Sequence, residues 1–207
     1  MEYLDYYDSE GKYLGFESRE KIHGEGLWHK TVHCWLYDKD GNIYFQIRKD
    51  SETLYTTASG HVLKGETIKE AFKREIFEEI GIEIDSSDAL LVDVITWKMD
   101  KIKSDGTIFK DRAWASVYID NFEKIDYNFD FDKNEVLGLV KMNVYDVLKL
   151  FKDEIDSIDG TVIKQDIAGK ICLENRKIQV SDFLVTDGET VYSKYSDILL
   201  KVIEVIN

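Results

Sequence analysis

Three carboxylates lie close together in one short stretch of this chain. Glu75, Glu78 and Glu79 fall within five consecutive positions, directly after Arg74. Because a helix turns about 100° per residue, these carboxylates would share an arc of roughly 100° on one helix face. Like charges at this spacing repel, and partial burial increases the cost because charge is expensive to desolvate. A hard divalent cation that prefers oxygen ligands, Mg²⁺ above all, would remove that cost, so the spacing predicts a metal site.

A helix should carry these acids. Thr67 and Glu70 have the spacing of a capping box, in which a hydroxyl and a carboxylate satisfy the amides at a helix start. Gly81 readily takes the left-handed conformation that ends many helices. The apolar residues between these limits recur at helical spacing, namely Ile68, Ala71, Phe72, Ile76 and Ile80. The acidic arc overlaps the edge of this stripe, so all three carboxylates are expected to lean towards the protein body.

The wider pattern from Gly60 to Ile82 is more specific than any of its parts. In GHVLKGETIKEAFKREIFEEIGI, Gly60 is followed after five residues by Glu66, and after seven more by Arg74 and the acids. This pattern resembles the Nudix box, and every position that the box specifies is met. A solvated helix face accounts for a single Glu–Glu pair, but it does not account for the joint pattern.

The resemblance implies a loop–helix–loop that holds Mg²⁺ or Mn²⁺ at a diphosphate. It assigns the metal-binding role to Glu75, Glu78 and Glu79 and to the backbone carbonyl of Gly60. It also implies that Arg74 orients the glutamates through salt bridges, which suits the planar fork of its guanidinium. The general base varies across the family and is either a glutamate of the box or a carboxylate on a later loop.

Glu135 is the candidate for that later carboxylate. It ends the acidic segment FDFDKNE and leads into an apolar run at 136–140. Family members often carry a similar pair here, but an acid in an acidic loop is also simply solvated, so both interpretations stay open. On the functional interpretation the catalytic set is Glu78, Arg74 and Glu135.

Residues upstream of the box resemble one branch of the superfamily. The segments HKTVHCW (29–35) and TTASGH (56–61) look like the isopentenyl-diphosphate isomerase-like branch. In true isomerases a catalytic cysteine stands just before the Gly-His pair, whereas Ser59 occupies that place here. A hydroxyl is a poor replacement for a thiol that must shuttle protons to carbon. Ser59 and the complete box together favour hydrolysis over isomerisation.

Histidines form a second, weaker signal. The isomerases bind a second metal through histidines, and His29 and His61 stand near two of those places, with His23 roughly at another. The resemblance makes His61 and His29 weak candidates for binding metal or substrate phosphate. The alternative is that each is a packed or surface histidine, which is the commoner role for single histidines near strands.

Bulk properties indicate an ordinary soluble enzyme. The 207 residues are 43% hydrophobic, enough for one sizeable core. A net charge of −14 argues against extended binding to nucleic acid, although it permits a phosphorylated small substrate. No apolar stretch is long enough to span a membrane, and the acidic start is unlike a secretory signal. Two distant cysteines with no metal spacing between them predict a reducing cytoplasm. We expect a monomer or a homodimer, since the C-terminal helix most simply packs on its own domain but could form a dimer contact.

The order of elements predicts an α+β protein. Hairpins, single strands and helices follow from alternating or helical apolar spacing. The predicted hairpins are 2–16, 29–48 and 90–119, the single strands lie near 54–55, 60–63 and 136–142, and the helices are 67–81, 144–152 and the C-terminal end. This order suits a Nudix α/β/α sandwich with a mixed central sheet, an N-terminal β-hairpin and a C-terminal helical extension. We assign residues 1–207 to one domain, with a core at about 29–152 and an extension at 153–207 packed on it.

The leading interpretation is a Mg²⁺- or Mn²⁺-dependent Nudix hydrolase. Its expected substrate is a nucleoside diphosphate-X or a related small organic diphosphate, cleaved by water attack at phosphorus. One alternative is an isopentenyl-diphosphate delta-isomerase-like enzyme, against which Ser59 speaks. Another is a catalytically silent Nudix-fold binding protein, which would be expected to lose glutamates of the box, and none is lost. Specificity lies in loops that one sequence does not decode, so the substrate stays open.

Overall fold

Strands and helices alternate along the chain, and the computed structural model describes them for residues 1–85, 87–103, 105–122, 129–183 and 191–207. The strands are β1 (Tyr3–Tyr7), β2 (Tyr13–Ser18), β3 (His29–Tyr37), β4 (Asn42–Arg48), β5 (Leu54–Tyr55), β6 (Ala58–His61), β7 (Leu90–Ile102), β8 (Ile108–Asn121), β9 (Val136–Asn143), β10 (Ile158–Gln165) and β11 (Ile171–Ile178). The helices are α1 (Arg19–Glu25), α2 (Ile68–Ile80), α3 (Val144–Phe151) and α4 (Val191–Ile206), with a short 3-10 helix at Val180–Asp182.

A large mixed sheet forms the centre of the fold. Its order is β11-β10-β9-β4-β3-β8-β7, with β5 beside β4 and β6 beside β3. Strands β3 and β8 run parallel, with His29 beside Ala113, while the other pairs in this sheet are antiparallel. The N-terminal strands β1 and β2 form a separate hairpin, as predicted. This architecture confirms the predicted α+β class with a mixed central sheet.

Two apolar cores lie on opposite faces of this sheet. Trp35 and Tyr37 of β3 belong to the core that also contains apolar side chains of α3 and α4. Their neighbours Cys34 and Leu36 belong to the core that contains the apolar stripe of α2. Since successive side chains of a strand point to opposite faces, β3 separates a layer of two helices from the layer formed by α2. The result is an α/β/α arrangement with the acidic helix on one side.

Helix α2 begins and ends where its sequence predicts. Thr67 accepts a hydrogen bond from the backbone of Glu70, and the Glu70 carboxylate accepts one from the backbone of Thr67, so the capping box is complete. Gly81 ends the helix at φ +73°, in the left-handed region. A Cβ at Gly81 would also lie 2.6 Å from the Cβ of Asp130. Because the backbone N–H of Asp130 donates to the carbonyl of Ile80 at 3.1 Å, the loop that follows residue 129 is fastened to this helix end.

Helix α1 and the hairpin β10–β11 did not emerge from the sequence. Helix α1 has only seven residues, fewer than the roughly 12 that an isolated helix needs, so its stability comes from packing and not from local propensity. Strands β10 and β11 extend the central sheet beyond β9. Ile158, Phe183 and Tyr195 lie in the same core as Trp35, but the assignment of the whole chain to one domain stays a prediction. Among the described residues, no helix is long and apolar enough to cross a membrane.

Candidate active site

A cavity of about 830 Å³ opens beside the N-terminal half of β3. Its floor comes from the central sheet, through Thr31, His33, Ser59 and Ala113. The acids of α2 border this cavity at what we call its acidic end, and a group of histidines borders it too. Side chains from both groups line the same space, including Glu75, Glu78, Glu79, Glu135, His23, His61 and Asp111.

Arg74 holds the acidic end together. Its Nε and Nη2 donate to the two carboxylate oxygens of Glu66 at 2.9 and 3.0 Å, the forked geometry that a guanidinium offers. Its Nη1 donates to Glu75 Oε1 and Glu78 Oε2, each at 2.8 Å. Nη2 also donates to the backbone carbonyl of His61 at 2.7 Å, which ties α2 to strand β6. One side chain therefore sets the positions of three carboxylates and of the loop before the helix.

Glu75 and Glu79 are buried acids, with exposed fractions of 8% and 5%. Burial raises the pKa of Glu75 to about 7, against the opposing effect of Arg74. Burial also raises the pKa of Glu79 well above its ordinary value, and the charge of Glu75 adds to the effect. Gln46 Nε2 and the backbone N–H of Ser59 both donate to Glu79 Oε2, at 3.0 and 3.2 Å, which fixes that carboxylate.

Glu78 departs from the sequence-based expectation, because it is exposed and does not lean into the protein body. It lies at the outer limit of the acidic arc, where its carboxylate bends back to Arg74. Glu75 and Glu79 are buried and Glu78 is exposed, although the spacing of the three in the sequence predicts the same surroundings for all of them. Glu78 therefore faces solvent at the cavity, where it can reach a substrate or a water molecule.

Gly60 leaves the space that the Glu75 carboxylate occupies. A Cβ built on Gly60 would lie 2.1 Å from Glu75 Oε1, so any other residue here would displace that side chain. The backbone of Gly60 and the carboxylate of Glu75 are consequently in close approach, as a shared metal site requires. The cluster is rich in oxygen atoms, carries more negative than positive charge and is partly desolvated. It therefore fits a hard divalent cation held by Glu75, Glu78, Glu79 and the Gly60 carbonyl.

Glu135 lies at the same cavity, at its exposed rim. Its loop is anchored at both ends: the backbone N–H of Asp132 donates to the carbonyl of Glu79, and the carbonyl of Glu135 accepts from the backbone of Lys49 at 2.8 Å. The charge of Glu135 contributes, after burial, to the raised pKa of both Glu75 and Glu79. The structure thus brings this residue from a separate loop towards the acids of α2.

Three imidazoles meet beside the cavity, and two of them, His23 and His61, line it. His23, His29 and His61 each offer a ring nitrogen within 4.8 Å of the others, and the Nε2 atoms of His23 and His61 are 3.0 Å apart. Burial lowers the pKa of all three rings, to about 4 for His23, so they are neutral at pH 7. His29 Nε2 and Asp111 Oδ1 lie 3.5 Å apart, and both are buried without a hydrogen-bond partner among the described residues.

Comparison with known proteins assigns the family. The NUDIX domain, a family defined by its sequence, matches residues 27–164, about two thirds of the chain. The chain belongs to the Nudix family. It is a Nudix hydrolase, an enzyme that acts on the diphosphate bonds of acid anhydrides.

Relatives of this Nudix protein agree with the assignment. An uncharacterized Nudix hydrolase of Clostridium acetobutylicum is 28% identical over 198 residues, which cover 90% of this chain and 88% of the relative. An isopentenyl-diphosphate delta-isomerase of Halobacterium salinarum is 26% identical over 140 residues, covering 64% of this chain and 63% of the relative. The crystal structure of a Deinococcus radiodurans protein aligns with a TM-score of 0.52 at 21% identity, over 73% of this chain and 89% of that one, and so shares the fold.

Two residues of the site escaped the sequence analysis. Gln46 orients Glu79 from strand β4, and Asp111 joins the histidines from strand β8. Neither belongs to a local motif, since Gln46 meets its partner where α2 packs on the sheet and Asp111 meets His29 where β8 lies beside β3. A weak signal was present for Gln46, a polar residue in the otherwise apolar run IYFQI of a central strand.

Arg74→Lys is expected to lower kcat of this Nudix enzyme by about 10- to 100-fold, because a lysine cannot bridge Glu66, Glu75 and Glu78 at once and the acids lose their fixed positions. Steady-state kinetics with a diphosphate that the wild type hydrolyses would measure the change in kcat. Arg176→Lys is the matched control, since Arg176 pairs with Asp182 in the C-terminal part and lies outside the cavity. Equal rates for Arg74→Lys and the wild type would contradict the orienting role.

The contribution of Glu75 to the stability of the metal-free Nudix protein should fall as the pH rises from about 4.5 to 7, opposite in sign to that of the buried histidines, whose pKa values are lowered. Glu75, with its pKa raised to about 7 from an ordinary value of 4.5, keeps a proton in the folded state that the unfolded chain has lost. Since this carboxyl group binds more protons in the folded state in this window, its contribution to the free energy of unfolding declines there. At about 1.4 kcal/mol per unit, the decline from this group is on the order of 3 kcal/mol.

Urea unfolding in EDTA across pH 4.5 to 8 would measure this contribution as a difference between proteins. The free energy of unfolding of Glu75→Gln should rise relative to that of the wild type as the pH increases, whereas Glu83→Gln, at an exposed position after the helix, should show no such change. A slope that is the same in all three proteins would show that Glu75 is not the titrating group.

Proposed function

We propose that this Nudix hydrolase is metal-dependent and cleaves the diphosphate linkage of a nucleoside diphosphate-X or a related small organic diphosphate by water attack at phosphorus. The observation that supports it most is the cluster of Glu75 and Glu78, both bonded to Arg74, with Glu79 on the same helix, which lies beside Gly60 at a cavity large enough for a small organic diphosphate. A cytoplasmic location is part of the same proposal.

The residues of the cluster have distinct roles in this proposal. A divalent cation, when bound, neutralises the diphosphate oxygens and lowers the pKa of water. Glu79, held by Gln46 and Ser59, and Glu75, held by Arg74, are the fixed ligands. Glu78 and Glu135 are exposed at the cavity, and these two carboxylates are the candidates to take the proton of the attacking water.

A second candidate function, isomerisation of an isoprenoid diphosphate, is favoured by the histidine cluster. His23, His29 and His61 come together, His29 and His61 resemble ligands of a second metal in the isomerase-like branch, and neutral imidazoles with a nearby Asp111 fit a divalent cation. The similarity to the Halobacterium isomerase points the same way. Ser59 weighs against this function, because it stands where the isomerases carry their catalytic cysteine.

A panel of diphosphates separates the two functions. We would incubate the protein with ADP-ribose, UDP-glucose, NADH, a dinucleoside polyphosphate, an oxidised dNTP and isopentenyl diphosphate, in Mg²⁺ and in Mn²⁺. Release of two phosphorylated products from at least one substrate is expected, and Glu78→Gln should abolish it. Double-bond migration in isopentenyl diphosphate, with no hydrolysis of any substrate, would replace the first proposal by the second.

A further inference from the structure

His33 is a buried polar residue in the cavity that neither the acidic cluster nor the histidine cluster uses. Its exposed fraction is 6%, and it lines the cavity floor. On strand β6 its direct partner is Ser59, whose backbone N–H donates to Glu79. Because directly opposed side chains of an antiparallel pair lie about 5 Å apart, His33 is only one strand away from the acidic end.

Only one of the two ring nitrogens of His33 is hydrogen-bonded within the described part of the chain. Nε2 lies 3.1 Å from the hydroxyl of Tyr55, while Nδ1 is buried and has no partner. The ring of Trp97 stands edge-on to the imidazole at 6.5 Å between centroids and also lines the cavity. Leaving a buried polar atom unsatisfied is destabilising, so an apolar residue would serve the fold better at this position.

The free nitrogen suits a polar and uncharged partner. Burial lowers the pKa of His33 to about 4, so the ring is neutral at pH 7 and offers no charge to a phosphate. If the Tyr55 hydroxyl donates to Nε2, then Nδ1–H is a donor; in the other tautomer Nδ1 is an acceptor. A hydroxyl, amide or carbonyl satisfies one or both of these states, and a hydrocarbon chain satisfies neither.

We propose that His33, supported by Tyr55, binds the non-phosphate group of the substrate, and that this group carries hydroxyl, amide or carbonyl functions, as a sugar or a nucleoside does. This inference rests on the proposed function, since the diphosphate must lie at the acidic end for the remaining group to reach His33. A site built to hydrogen-bond a substrate discriminates strongly against an analogue without the polar group, because the buried nitrogen is then left unpaired. His33 is therefore a specificity-determining residue that disfavours isoprenoid tails.

The test compares His33→Leu and His33→Gln with the wild type on ADP-ribose, UDP-glucose and geranyl diphosphate. His33→Leu should lower kcat/KM for the better polar substrate by about 10- to 100-fold, chiefly through KM, while activity on geranyl diphosphate stays level or rises. His33→Gln should recover part of the loss, since an amide can make the same hydrogen bond. Ser116→Ala is the control. Ser116 is buried in β8 beside Val32, on the face of the central sheet opposite to the one that carries His33.

Binding measurements separate this inference from the proposed function. If the wild type hydrolyses neither these compounds nor any other member of the diphosphate panel, the proposed function fails, and the rise in Tm caused by each intact compound with Ca²⁺ still decides the role of His33. Stabilisation by a polar compound in the wild type but not in His33→Leu would support the role. An unchanged response of His33→Leu, an equal loss towards geranyl diphosphate, or no stabilisation of the wild type by either polar compound would overturn it.

Discussion

Glu79→Gln should lower kcat by on the order of 10³-fold and make the metal-free protein more stable at pH 8. The loss follows because a cation contributes several kcal/mol of charge stabilisation and each 1.36 kcal/mol is tenfold in rate. The gain follows because burial raises the pKa of Glu79, so its ionised form is unfavourable in the folded state at pH 8. Glutamine keeps the shape and an acceptor for the Ser59 N–H but carries no charge.

Steady-state kinetics and urea unfolding in EDTA would measure both effects. Glu78→Gln should lose similar activity without the gain in stability, because Glu78 is exposed. Glu83→Gln, an exposed change just beyond the helix, is the control and should alter neither quantity. Activity within threefold of the wild type in both Glu79→Gln and Glu78→Gln would reject the site.

Gly60→Ala should reduce kcat by at least about 100-fold, whereas its free energy of unfolding should change little. The added Cβ would lie 2.1 Å from Glu75 Oε1, so the carboxylate must move, and it is the far end of a flexible side chain. Misplacing one ligand and its partner Arg74 weakens the whole metal site, and lost positioning alone can reduce the rate by about 10²-fold. Activity assays with rising Mg²⁺ should show a higher metal requirement.

Gly24→Ala is the matched control for this change. Gly24 lies in α1, and a Cβ there would meet no atom within 4 Å. Alanine should therefore stabilise the helix by roughly 0.5–1 kcal/mol and leave the rate unchanged. A Gly60→Ala protein with wild-type activity and wild-type metal requirement would show that the close approach of Gly60 and Glu75 has no catalytic meaning.

The sequence predicted local features of the fold better than distant ones. The limits of α2 follow from Thr67, Glu70 and Gly81, whose capping chemistry acts over one helical turn. The hairpin β3–β4 follows from alternation around Gly41, which takes φ +77° in the turn. Helix α1 and strand β10 did not emerge, because they pack on β8 and β9, which lie elsewhere in the sequence, and β11 was missed with β10, its hairpin partner.

The same limit applies to the candidate site. The box motif predicted the residues of the acidic end, since all but Gly60 and Glu66 lie on one helix. It did not predict that Glu75 and Glu79 are buried while Glu78 is exposed. At the edge of an apolar stripe, a small difference in angular position around the helix axis decides whether a side chain is buried. Gln46, His33 and Asp111 come together with the box only through the register of the central sheet, which one sequence does not fix.

Calorimetric titration with Mg²⁺, in the presence of a non-hydrolysable methylene diphosphate analogue, tests the metal site most directly. Mg²⁺ is chosen because its preference for oxygen ligands keeps it away from the imidazoles. We expect uptake by the wild type and by Glu83→Gln, and binding weakened at least about 100-fold in Glu75→Gln and Glu79→Gln. Mg²⁺ uptake of equal affinity in all four proteins, or in none, would contradict the account.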